Sequence, residues 1–457
     1  MDDGRARALE TAHENARRFL AGLDDRPVWP RAEYDAMLEA FGGPLPAAGA
    51  DPAAVVDELA RIADPGLAGI AGGRFFGFVI GGELPAALGA DWLTSVWDQN
   101  GALTSLTPAA AAAETAAVAW LVEALGLPTG TVAGLVTGGM MANFTCLAAA
   151  RHQVLADAGW DVAEQGLVGG PWIRVVVGKH RHDTVDMALR YLGIGRTAIV
   201  EVATDDQGRI LPEALSDALS SGGGPTIVCL QAGEVHTGAF DPFPEAIALA
   251  REAKAWVHVD GAFGLWAAAS EQLADLTRGV AEADSWATDA HKTLNVPYDC
   301  GLAFVRDATP LTASFGIEVD YLIAGAGDPL DRVPEFSRRA RGFTVWAALR
   351  SLGRDGLANL VETLAARAAR FAEGAARIPG VEVVNDVVFT QVMVRLDDDA
   401  RTAALGRQLL ADGTAVLTPA VWDGRAAQRF SVSSWSTSET DVDRTVEALA
   451  RAVAAVS

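Results

Sequence analysis

Cysteine is scarce in this chain. Cys146, Cys229 and Cys300 are three residues in 457, far apart and without a C-x-x-C pair. An odd, scattered set supplies neither a disulfide framework nor a zinc site, and it fits a reducing cytoplasm. Basic residues are few as well: 36 Lys and Arg stand against 59 Asp and Glu, a formal charge of -23. That balance disfavours nucleic acid and anionic membrane surfaces as partners, and its simplest reading is solubility. No long apolar run is present, because the Ala-rich stretch 108–127 is interrupted by Glu114 and Glu123. The opening MDDGRARALE has no apolar signal core, so neither a spanning segment nor a signal peptide is expected. No G-x-G-x-x-G follows an early strand, which argues against a dinucleotide-binding dehydrogenase.

Half of the residues are hydrophobic, and the length exceeds one ordinary domain, so a large domain with smaller pieces is expected. Residues 1 to about 70 read as amphipathic helices broken by Pro-rich turns such as DDRPVWPRAEYD. They are too thin to bury a core alone. The segment 1–100 is therefore expected to be helical and to pack on a second copy, making a homodimer. A helix over Glu114–Leu127 leads into TGGMMAN, residues 137–143. After it, apolar runs alternate with helical ones: WIRVVVG, TAIVEV, PTIVCLQA, AWVHVDGA and CGLAFVR. Continuous apolar runs between helices predict an α/β fold with a mostly parallel sheet covered on both faces, here over 101–345. From 346 to 457 a helix near 346–377, the strands VEVVN, FTQVMVRL and RFSVSSW, and a closing helix from about 439 predict a small α+β domain.

Four sites along this frame carry chemistry. In TGGMMANFTCLAAAR a strand-like segment runs into a helix, whose first N–H groups can receive a phosphate; the glycines alone could equally serve turn geometry. Asp260 closes the apolar run AWVHVD, where a buried carboxylate needs a hydrogen bond or an opposite charge. A pyridinium nitrogen would supply one, and so would the glycine-rich turn that follows. His182 precedes a helix with Asp183 and Thr184 as first-turn or capping residues, and can lie flat over an aromatic ring or be an ordinary satisfied histidine. Lys292 follows His291 in ADSWATDAHKTLNVPYDCG, 32 positions after Asp260. An aspartate and a lysine held in this way are what pyridoxal phosphate needs. His258 is read as packing.

A Gly-rich helix start, then a histidine, an aspartate and a lysine in that order, resembles the group II pyridoxal-phosphate-dependent amino acid decarboxylases, the aromatic amino acid and glutamate decarboxylase group. The resemblance runs from FFGFVIGG near residue 75 to SETDVDRTVEAL, and DSWATDAHKTLNVPYDCG and HVDGAFG are its most specific parts. It implies the pyridoxal-phosphate transferase fold type I, with Lys292 as the Schiff-base lysine, Asp260 beside the pyridine nitrogen and His182 stacked on the ring. Gly139 and Met140 fall where the family holds the phosphate, joined by Asp289 and His291, and Thr237 lies in the loop beneath the cofactor. Phe75, Phe76, Phe78 and Ile80, with Val79, match the region lining the substrate side chain; an apolar pocket there favours an aromatic or bulky apolar L-amino acid.

Some positions depart from the family's pattern. The loop GDPLDRVPEFSRRARG contains no tyrosine, where relatives often carry the one that returns a proton after carbon dioxide leaves; Tyr321 is the nearest. Simple decarboxylation to an amine and oxygen-dependent decarboxylation to an aldehyde are therefore both open. Met140 and Met141 replace small hydroxyl residues, which leaves phosphate binding to backbone N–H groups. Glu234 and His236 replace asparagines, and Glu234 is expected in a structural ion pair rather than against substrate. An aminotransferase would need a carboxylate-binding arginine near RFSVSSW, a part only Arg429 could take, and a non-catalytic relative would lack a lysine-bound chromophore.

Overall fold

Seven apolar runs form seven strands of one sheet in the computed structural model, which describes residues 4–317 and 327–456. The strands are β1 (Val132–Val136), β2 (Arg174–Gly178), β3 (Ile199–Val202), β4 (Thr226–Gln231), β5 (Trp256–Asp260), β6 (Ser285–Asp289) and β7 (Gly301–Val305), in the spatial order β1-β7-β6-β5-β4-β2-β3. β3, β2, β4, β5 and β6 run parallel, and β7 is antiparallel to both of its neighbours. Side chains alternate between two cores. Val175, Val177, Ile227 and Cys229 face one, and Val176, Val228, Leu230, Val257 and Val259 face the other. Because both faces are covered, the strands read as continuous apolar runs rather than alternating ones.

The helix Gly139–Asp157 packs across β5, β6 and β7 on one face. Helices Pro108–Ala124 and Phe243–Glu252 contribute to the core on the other. The first of these starts six residues before the expected Glu114, since Pro108 suits a first helical position and the alanines support it. Glu114 is buried inside it, and both its carboxylate oxygens accept from Arg338 Nη2, at 2.7 and 2.9 Å. The interruption in the apolar run is thus an internal ion pair.

A second sheet of β8 (Glu382–Val383), β9 (Gln391–Arg395), β10 (Thr418–Trp422) and β11 (Arg425–Ser431) is antiparallel, in the order β10-β11-β9-β8. Helix Gly342–Ala376 joins the two sheets and is broken at Gly353, whose φ of 64° only glycine adopts cheaply. Residues 75 and 76 are sewn to this smaller unit: Phe76 N–H donates to Val416 O, Ser431 N–H donates to Phe76 O, and the Phe76 ring lies 4.0 Å from Phe430. The N-terminal helices Arg5–Ala21, Tyr34–Phe41 and Pro52–Ala63 have no buried residue of their own. Among the described residues no helix is long and apolar enough to cross a membrane.

Candidate active site

The carboxyl ends of β4, β5 and β6 open on a cavity of about 330 Å³. Its wall includes Gly138, Gly139, Met140, Met141, His182, Asp260, Asp289, His291 and Lys292, residues from four separate sequence segments. Thr237 is not among them. It is fully buried, its hydroxyl donating to Gln207 O at 2.7 Å and its N–H to Glu234, and Gly233 and Val235 take the wall positions of that loop.

Lys292 Nζ lies 2.9 Å from Asp289 Oδ2. Asp289 is the last residue of β6, and its Oδ1 is buried with no hydrogen-bond partner, since His291 Nε2 is 3.7 Å away. Burial pushes the His291 imidazole down from its ordinary value, partly offset by the Asp289 charge. The turn after the lysine is pinned by Asn295, held at φ 55°. Its Nδ2 reaches the carbonyls of Lys292, Thr293 and Ser433, and its Oδ1 accepts from Gly82 and Trp435 N–H. A Cβ on Gly81 would collide with the Lys292 carbonyl. Gly81 is therefore required by close backbone approach to the lysine turn.

Asp260 ends β5 and is buried, with Oδ1 accepting from Ala262 N–H at 3.2 Å and Oδ2 from Asn143 Nδ2 at 3.0 Å. His182 is the N-cap of helix Asp183–Tyr191; its Nδ1 receives Thr184 N–H at 3.3 Å and lies 2.9 Å from Thr184 Oγ1. At the start of helix Gly139–Asp157 the first return bond is Ala142 N–H to Gly138 O, so the N–H groups before it are the helix's orphan donors. A Cβ on Gly139 would lie 2.6 Å from Asp289 Oδ2. Bare glycine backbone with free donors at a helix start, a lysine amine and a buried carboxylate on one cavity fit the phosphate, aldehyde and ring nitrogen of pyridoxal phosphate.

Of the residues expected around the substrate side chain, Phe78 lines the cavity, together with Val79. Both hold φ near 63°, which is unusual for any side chain and an outlier for a β-branched one. Phe75 packs instead on Val28 and Val416, Phe76 on Phe430, and Ile80 against the Phe75 group. Phe263 supplies apolar wall from the strand-end side. Glu234 accepts from its own turn through His236 N–H and Thr237 N–H and pairs with His236 Nδ1 at 2.8 Å. Arg429 donates to Val235 O and is absent from the wall. Asn143 lies in TGGMMAN and Asn295 in AHKTLNVPYDCG, and only side-chain geometry shows what they bond.

A family model for the pyridoxal-dependent decarboxylase conserved domain matches residues 43–397. The chain belongs to that family. Tryptophan decarboxylase 1 of Oryza sativa subsp. japonica is 27% identical over 452 residues, covering 91% of this chain and 87% of that protein. A 4-hydroxyphenylacetaldehyde synthase of Rhodiola rosea is 26% identical over 411 residues, covering 86% and 82%. The crystal structure of an Oryza sativa TDC with PLP and tryptamine superposes with a TM-score of 0.93 at 25% identity, covering 100% of this chain and 98% of that one. The fold is that of the pyridoxal-phosphate decarboxylases, the cofactor is pyridoxal phosphate, and the activity class is amino acid decarboxylation.

Proposed function

We propose that the chain removes carbon dioxide from an aromatic or bulky apolar L-amino acid, with Lys292, Asp260 and His182 as catalytic residues. The observation that carries this is their convergence on one cavity whose wall also carries the apolar side chains of Phe78, Val79 and Phe263. When bound, pyridoxal phosphate supplies the electron sink for the carbon that loses its carboxylate. Lys292 would hold the cofactor through its side-chain amine, which lies on the cavity wall. Asp260, with both oxygens fixed by hydrogen bonds, presents an acceptor to the ring nitrogen. His182, capped onto its helix at the cavity wall, would cover the ring and could deliver a proton directly or through one water. Met140 and its helix start would hold the phosphate through backbone N–H groups, with Asp289 and His291 alongside.

The second reading, decarboxylation with oxygen to an aldehyde, is favoured by one observation. The described segment 327–341 contains no tyrosine, and Tyr321 lies outside the described residues. A relative named as an aldehyde synthase shows that a similar chain takes a different outcome. Product analysis by mass spectrometry over an amino acid panel, with and without oxygen, separates the two. Amine and carbon dioxide without peroxide or ammonia support the first reading; aldehyde, ammonia and peroxide that require oxygen support the second.

The N-terminal helices expose Leu9, Leu38, Phe41 and Leu59, and a second copy would cover them, making a homodimer. A monodisperse monomer in light scattering would defeat that. The three buried thiols, all pushed up by burial, fit a cytoplasmic protein.

A further inference from the structure

β5 places Trp256, His258 and Asp260 at alternating positions on the face that meets helix Gly139–Asp157, while Val257 and Val259 fill the opposite core. The three side chains are joined through two others. The Trp256 indole Nε1–H donates to Ser285 Oγ at 2.9 Å, and that hydroxyl lies 3.0 Å from His258 Nδ1. His258 Nε2 lies 2.9 Å from Asn143 Oδ1, and Asn143 Nδ2 donates to Asp260 Oδ2 at 3.0 Å.

Both ends of this chain have a fixed polarity, because an indole can only donate and a carboxylate accepts. Every link between them therefore has one direction. The Ser285 hydroxyl receives from Trp256 and gives its hydrogen to His258 Nδ1; His258 carries its hydrogen on Nε2; Asn143 accepts through oxygen and donates through nitrogen. Burial pushes the His258 imidazole down to about 4, against the pull of the Asp260 charge, which keeps the ring neutral as this pattern requires. The second hydrogen of Asn143 Nδ2 points to Thr184 Oγ1 at 3.3 Å, and Thr184 in turn supplies His182 Nδ1. His182 is left with its hydrogen on Nε2, the nitrogen away from its helix.

We propose that Asn143 is a positioning residue that sets the hydrogen directions at both Asp260 and His182, with Trp256, Ser285 and His258 fixing the direction of its amide from behind. Hydrogen bonds aligned in one sense polarise one another, so the far indole contributes to how strongly Asp260 is held. A reversed Asn143 amide would set its oxygen against Asp260 and lose both donors. The proposal rests on reading Asp260 and His182 as the residues against the cofactor ring.

The test has two arms. In the cofactor-free protein labelled with 15N-histidine, with resonances assigned through His258→Gln and His182→Gln, His258 is expected as the neutral Nε2–H tautomer and His182 with Nδ1 as a hydrogen-bond acceptor. An Nδ1–H tautomer at His258 overturns the proposal whatever the cofactor does. In the second arm, Asn143→Leu should weaken pyridoxal phosphate binding by roughly tenfold to a hundredfold, the cost of one hydrogen bond to a charged group, and should alter the visible band of the bound cofactor. Trp256→Phe should move both readouts the same way by less, and it serves where Asn143→Leu does not fold. Asp260→Ala is the control. If it changes affinity and band while Asn143→Leu and Trp256→Phe, folded by circular dichroism, do not, the proposal fails and the Asp260 reading stands. If Asp260→Ala changes neither, that reading fails and the proposal falls with it.

Discussion

The cavity has two unlike walls. One is built from strand ends, Asp260 on β5 and Asp289 on β6, with helix starts at Gly139 and His182. There the backbone is regular, Asp260 is fixed by donors from Ala262 and Asn143, and His182 by the Thr184 N–H. The other is the irregular stretch at Phe78 and Val79, both at positive φ, hung between the second sheet and the lysine turn. The first wall is positioned by the sheet itself and suits a fixed cofactor. The second is held by a few contacts, Phe78 N–H to Thr418 Oγ1 and Gly82 N–H to Asn295 Oδ1, and keeps a strained backbone that its surroundings must impose. Strain at a pocket wall is a place where selectivity can be set without disturbing the cofactor.

That contrast breaks most easily at Asp260. Asp260→Ala should cost about 3–5 kcal/mol of transition-state stabilisation, roughly a hundredfold to several thousandfold in turnover. Near-full turnover in steady-state assays would remove Asp260 from the mechanism and leave the strand-end wall without a catalytic carboxylate.

The rigidity of the same wall has a pH signature. His258 is depressed from 6.5 to about 4 by burial, so the folded state takes up this proton less readily than the unfolded chain. The stability it confers is complete above its unfolded value and is lost as pH falls toward the folded one. A depression of this size corresponds to roughly 3 kcal/mol. Denaturant midpoints should therefore fall between neutral pH and about pH 5 by more in the parent than in His258→Gln. The same fall in both would show that this group does not hold the wall.

The smallest effect belongs to the other wall. Phe78→Ala should lower kcat/KM for an aromatic substrate by roughly tenfold, in the range of about 1–3 kcal/mol for a truncated apolar contact, with pyridoxal phosphate affinity unchanged. Equal losses in substrate and cofactor binding would erase the distinction between the walls.

The two walls also differ in what the sequence discloses. Lys292, Asp260, His182 and the Gly139 turn lie where strands or helices end, and apolar runs with their stop signals mark such ends. The sheet follows from the same runs. Phe75 and Phe76 carry the same composition as Phe78 but turn into other cores, because a short stretch without regular period gives no rule for which side chain faces the cavity. Thr237 was placed by its loop, yet its hydroxyl bonds Gln207 O, a partner 30 residues away that no local pattern indicates. His258 reads as packing until Asn143 and Ser285, distant in sequence, are seen on its two nitrogens.

The direct test is covalent. Borohydride reduction of the protein loaded with pyridoxal phosphate, followed by peptide mass spectrometry, should place the phosphopyridoxyl group on Lys292 within the peptide containing AHKTLN. Modification at another lysine, with Lys292 unlabelled, would contradict the assignment on which the rest of the site depends.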